Sequence, residues 1–193
     1  MVITGLDADH MITLSLNVVT LESVQTVKES CPNLKHLRVD VDTEEPSLDL
    51  IIQLICSLKS LKILHIETVD YSVSGSILNL LGNHLVFVEC LILGMYIDET
   101  VEFSAWNFCK AELKMWAMLS ANVYSRRYCL HWAHLFQLYH RSLKVVGVEV
   151  GGFNCKGKYN WSREELKFIH VLKILGVDVV TKYKDFEDGL DGF

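Results

Sequence analysis

Residues 31–41 read CPNLKHLRVDV, and residues 56–67 read CSLKSLKILHIE. In each, three apolar residues stand at places one, four and six of a short frame: Leu34, Leu37 and Val39, then Leu61, Leu64 and Ile66. Outward from these two stretches the same frame occurs at Met11-Leu14-Leu16, Val88-Leu91-Leu93, Leu113-Trp116-Met118 and Leu143-Val146-Val148. Successive frames start 23, 27, 27, 25 and 30 residues apart. One such frame means little, but six at a near-constant interval mark a chain that stacks one supersecondary unit, each packing on its neighbours. Places four and six lie two residues apart, as same-face positions of a strand do.

The segments between frames change period. Residues 20–30 (TLESVQTVKES) set Leu21, Val24 and Val27 at helical spacing behind a Thr20 N-cap. Residues 46–58 open on Pro46 and Ser47 and carry a stripe of Leu48, Ile51, Ile52 and Ile55. Residues 74–82 read as a short helix ended by Gly82, and 126–140 as the longest amphipathic candidate. The stretch 94–112 is the least regular. At the end, SREELKFIHVLKILG (162–176) has a Ser cap, early acids and a closing Gly, which favours a helix followed by a strand at 177–180 over a further frame at Leu172. Parallel strands need a crossover, and these gaps hold one. The expected fold is therefore α/β: a solenoid of about six repeats over 1–180, with a curved parallel sheet on the concave side and helices on the convex side. Residues 181–193 read as an acidic C-terminal tail.

Composition narrows the function classes. Half of the 193 residues are hydrophobic, enough for a substantial core, and the net charge of −6 argues against a general nucleic-acid binder. No window approaches the roughly 18 apolar residues of a membrane span. The N-terminus lacks a basic region followed by an apolar one, and the six cysteines lie 19 to 34 residues apart without close pairs. The expectation is a reduced setting, cytoplasmic or nuclear, with the thiols acting as small buried hydrophobes.

CPNLKHLRVDV, CSLKSLKILHIE and RSLKVVGVEV (141–150) resemble the leucine-rich repeats of F-box/leucine-rich-repeat proteins. There a Cys-Pro-x-Leu start, matched here by Cys31, Pro32 and Leu34, leads into a Leu-x-x-Leu-x-Leu strand. The resemblance implies a module that holds a protein substrate for a ubiquitin ligase, acting as a substrate adaptor. Only ten residues precede the first frame, too few for the helical F-box itself.

Strand alternation points places three, five and seven away from the core. These positions are polar and charged in the first three frames and mostly apolar in the next three, which predicts an exposed partner surface. The expected footprint is His36, Arg38, Asp40, Ile63, His65, Glu67, Ile92 and Met115, with Arg38 as anchor because a guanidinium on a rigid strand can grip a carboxylate in two places. The competing reading pairs Arg38 with Glu67 or Asp40 across the strands.

Catalytic constellations do not assemble. Gly152-Phe-Asn-Cys-Lys-Gly157-Lys158 matches the first part of a phosphate-binding loop, but Tyr159 stands where Mg²⁺ needs a small hydroxyl. Cys129, His131, His134 and His140 fall in one helical segment without an acid to complete a zinc set, so they read as its polar edge. Asp40, Asp42, Glu44 and Glu45 read as a solvated turn. The expected function is a non-catalytic protein-interaction module with no cofactor, metal, nucleic acid, membrane or small-molecule substrate. The alternatives are a nucleotide-binding enzyme using 152–158, or an inactive piece of a larger repeat protein.

Overall fold

The computed structural model describes residues 12–17, 19–41, 48–73, 75–97, 112–119, 127, 129–131, 133–134, 137, 141–149 and 161–180. Seven strands form one all-parallel sheet in chain order: β1 (Thr13–Leu16), β2 (His36–Val41), β3 (Ile63–Val73), β4 (Cys90–Ile97), β5 (Met115–Leu119), β6 (Val145–Glu149) and β7 (Asp178–Val180). Four helices lie between them: α1 (Leu21–Ser30), α2 (Leu48–Cys56), α3 (Gly75–His84) and α4 (Arg163–Ile174). Described positions from Arg127 to Gln137 are helical as well and sit between β5 and β6.

The frames set the register. Leu14, Leu37, Leu64, Leu91, Trp116 and Val146 line up as direct partners across β1 to β6. Leu34, Leu61, Val88, Leu113 and Leu143 at place one are buried, as are Leu16, Val39, Ile66, Leu93 and Val148 at place six. Val24 and Val27 of α1, Ile51, Ile52 and Ile55 of α2, Leu81 of α3 and Leu172 of α4 join the same core, so these four helices cover one face of the sheet. Packing of this kind stabilises a domain by about 25 cal/mol per Å² of apolar surface removed from water.

Local chemistry sets the helix ends. Thr20 caps α1 by accepting from Ser23 N–H while Ser23 Oγ accepts from Thr20 N–H, at 3.1 and 2.9 Å. Ser162 and Glu165 repeat that box on α4. Gly176, at φ +77°, closes α4: its N–H donates to Lys173 and that of Val177 to Leu172, a Schellman pair backed by burial of Leu172 and Val177. Gly82 does not end α3, which continues to His84. Leu85 N–H still donates to the Leu81 carbonyl at 3.0 Å, so the turn propagates through the buried glycine.

The sheet carries one strand beyond the six frames. β7 pairs Asp178 with Val145 and Val179 with Val146, which puts Gly176 at place one, where the other strands have a large apolar residue. Pro46, Ser47, the stretch 98–111 and the tail 181–193 lie outside the described residues.

Candidate functional site

Three columns of side chains run across the sheet face opposite α1–α4. Thr13, His36, Ile63, Cys90, Met115 and Val145 are register partners, as are Ser15, Arg38, His65, Ile92, Ala117 and Gly147. The third column runs Asp40, Glu67, Gly94. Parallel pairing brings neighbours in a column about 4.8 Å apart, so side chains far apart in sequence become adjacent.

The polar end is an ion-pair network centred on Glu67. Arg38 Nη2 donates to Glu67 Oε1 at 3.0 Å, and Arg38 Nε lies 3.7 Å from Asp40 Oδ1. His65 Nε2 is 2.7 Å from the same Glu67 oxygen, with its ring buried. Thr13 Oγ1 and His36 Nδ1 are 3.4 Å apart. The hydrogen-bonding contact from His65 is the largest cause holding the Glu67 carboxyl below the ordinary carboxylate range. Burial opposes it, and the charges of His65 and Arg38 add to it. Burial, with the Lys35 charge behind it, lowers the imidazole of His36. Arg38 is thus already engaged with the two acids, and its side chain keeps 39% of its surface exposed.

Gly94 makes this network fit. A Cβ at that position would lie 2.7 Å from Glu67 Cγ, so the bare backbone of β4 gives the Glu67 side chain its room. Nothing in the 1-4-6 pattern signals this. Aligning the seventh places across neighbouring frames does, because it sets a lone glycine beside a glutamate.

The apolar end departs from expectation. Ile63, Ile92 and Met115 occupy the predicted face and columns, but they are only 5%, 1% and 2% exposed. With Cys90 and Ala117 they form a second apolar cluster, with Val145 and Val180 packed against it. Large side chains at contiguous positions gain more by leaving water than by lining an open surface, and these have done so. The accessible part of the expected footprint is therefore the polar end.

The remaining candidates disperse. Cys129 is buried with Sγ 3.7 Å from the Gly147 carbonyl, whereas His131 and His134 face the Phe168 ring of α4 at centroid distances of 5.2 and 6.0 Å. The His131 imidazole is lowered by burial first, then by the charges of His134 and Arg127. Among the described residues no group of three or more His, Cys, Asp or Glu is placed to hold a metal. His140, Asp42, Glu44, Glu45 and the 152–158 loop lie outside the described residues. Cys31 and Cys90 are buried too, and burial pushes Cys90 up to about 12.

One group escaped the frame reading. Glu89, at place two, contacts both Lys62 and Lys114, which flank it at the residues just before β3 and β5; the Lys62 Nζ to Glu89 Oε1 distance is 2.8 Å. These contacts hold its carboxyl low, that of Lys114 foremost. The arrangement on the sheet face sets two carboxylates, a guanidinium and two imidazoles, that of His65 buried, side by side on neighbouring strands. No family model, curated protein or solved structure matches this chain.

Proposed function

We propose that the chain is a non-catalytic protein-interaction module built as a leucine-rich-repeat solenoid, similar to the substrate-binding repeats of an F-box/leucine-rich-repeat ubiquitin-ligase adaptor. The observation that carries this reading is the register: six frames spaced 23 to 30 residues apart become six adjacent parallel strands with every place-four residue in line. Stacked repeats of that period bind through the strand face turned away from their helices. Its polar end offers the partner Ser15, His36, Arg38 and Asp40, none of them buried. A complementary partner brings both a carboxylate for the Arg38 edge and a donor for Glu67 or Asp40. Such mixed-charge footprints set specificity and encounter rate more than raw affinity.

Affinity capture followed by quantitative binding tests the proposal. With a captured partner, Arg38→Ala and Ser15→Arg each weaken binding while leaving the melt within about 1 kcal/mol of the parent. Full affinity in both variants removes the sheet face as the site.

A further inference from the structure

A second surface lies where the strands begin. Residues at place two of successive frames stack there, because each one's carbonyl accepts from the N–H of the next: Lys35 from Lys62 at 2.7 Å, Lys62 from Glu89 at 2.8 Å, Glu89 from Lys114 at 2.7 Å and Lys114 from Lys144 at 2.8 Å. Their side chains form a row across β2 to β6 that reads Lys, Lys, Glu, Lys, Lys. Glu89 is held between its two neighbours, which leaves the row cationic in a chain whose net charge is −6.

Phe87 rises beside the middle of this row, in the turn from α3 to β4, with half of its surface (51%) in water and Val86 next to it at 38%. Two cavities flank it. One, of about 310 Å³, runs between the end of α2 and Phe87 and is lined by Cys56, Leu58, Leu61 and Leu85 with Lys59 at its margin. The other, of about 330 Å³, lies between Phe87 and the row itself, at Lys62, Glu89 and Lys114, with the exposed Glu112 as a second carboxylate at its edge. An exposed aromatic ring between two hollows, one apolar and one edged by ammonium groups, has the anatomy of an interface anchor with a polar rim.

We infer that this edge binds an acidic, leucine-bearing segment of a partner protein in extended form, with an aliphatic side chain seated against Phe87 and carboxylates along the lysine row. Charge complementarity chooses the occupant: the four lysines outnumber Glu89 in the row and Glu112 beside it, and Lys35 and Lys144 at the two ends lie outside the Glu89 pairs. The geometry sets its length. Four strand spacings from Lys35 to Lys144 make about 19 Å, which roughly six extended residues cover. Lysines alone would steer the segment without holding it, because exposed charges are screened by salt. Phe87 supplies the desolvated contact that charge lacks. This surface is separate from the sheet face, so it stands whether or not that face binds a partner.

The test is fluorescence anisotropy on the full chain. The probe is a labelled peptide of roughly seven residues, made of Asp and Glu with two leucines. Saturable binding is expected, weakened about tenfold or more by Phe87→Ala and by Lys35→Glu combined with Lys144→Glu, and unchanged by Lys28→Glu on the exposed side of α1. All four substituted residues are at least partly exposed, and circular dichroism checks that each variant keeps the parent fold. Several results overturn the inference: no saturable binding, equal binding in the variants, or equal binding of a peptide with serine in place of leucine, which would reduce the contact to bulk charge. Tighter binding of a single-stranded oligonucleotide of matched charge also overturns it, in favour of a nucleic-acid edge.

Discussion

Strands β1–β3 and β4–β6 share one register and one core, yet the faces they turn away from the helices differ. At the first end Thr13, Ser15, His36, Arg38 and Asp40 stay in contact with water, and the charges pair around Glu67. At the other, Cys90, Ile92, Met115 and Ala117 are buried together. The boundary runs through β3, whose Ile63 belongs to the apolar cluster while His65 and Glu67 belong to the ion pairs. The backbone is the same on both sides, so side-chain chemistry alone decides which stretch of a repeat sheet is available to a partner. An apolar stretch finds cover within the molecule. A polar stretch satisfies its charges locally and keeps their outer edges in water.

The sharpest contrast comes from placing a carboxylate in each half. Ile92→Asp buries a carboxyl among Ile63, Cys90 and Met115, with only His65, already engaged with Glu67, as a polar neighbour, and the expected loss is about 4 kcal/mol, the range of exceptional single substitutions. Ser15→Asp, three strands away in the same column, sits in water beside Arg38 and is expected to change stability by less than about 0.5 kcal/mol. Urea midpoints of the two variants read the difference directly. Comparable losses would mean that the apolar half is as open as the polar half.

Gly94 is the hinge of the comparison, since it lies on β4 yet shapes the network of β3. Gly94→Ala drives a methyl group into Glu67 Cγ, and relief requires the Glu67 side chain to swing away from Arg38 and His65. Overpacking of this kind costs about 1–3 kcal/mol. A structural strain alone would lower the melt. Displacement of Glu67 would in addition raise its carboxyl toward 4.5, its ordinary value, which NMR titration of the side chain detects. A lowered melt with an unmoved titration would remove Gly94 from the network.

Arg38→Ala carries a smaller expectation. Its pairs with Glu67 and Asp40 are part-exposed, and surface ion pairs contribute about 0–1 kcal/mol. A loss within that range leaves Arg38 available as a recognition residue. A loss several-fold larger would assign it to holding β2 against β3.

Much of this was legible in the sequence because the frame carries two kinds of information at once. Leu37, Leu64 and Leu91 report both that a strand exists and how it registers on its neighbours, so the parallel order and the core face follow from spacing alone. Thr20 and Ser162 announce their helices through capping chemistry that is purely local. Place one of β7 is Gly176, a helix terminator, so the last strand could not be found by the frame and was reached through the helix before it. Burial of Ile92 and Met115 was out of reach for a different reason: alternation tells which face a side chain takes, not what lies over that face. The Glu89 pairs and the Gly94 gap needed residues compared across repeats, a column at a time, rather than along the chain.

The two halves also respond to opposite ends of the pH scale. Glu67 is held below its ordinary 4.5 in the folded chain, so its contribution is complete above 4.5 and is lost as pH falls through the lower folded value. His36, lowered from 6.5, acts in the same direction and begins to cost stability once pH drops below 6.5, because folding then opposes its protonation. Cys90, in the apolar half, has the opposite sign: its thiol is pushed from 9.0 to about 12, so above pH 9.0 the unfolded chain ionises more readily and stability falls as pH rises. Thermal melts between pH 4 and 10 should therefore trace a dome. Glu67→Gln flattens its acid limb by about 0.5 kcal/mol or less, since the carboxylate is part-exposed and screened. Cys90→Ala flattens the alkaline limb, by about 1 kcal/mol near pH 9.5, and leaves the acid limb alone. If Glu67→Gln altered the alkaline limb, or Cys90→Ala the acid one, the two ends of the sheet face would be one coupled unit rather than two.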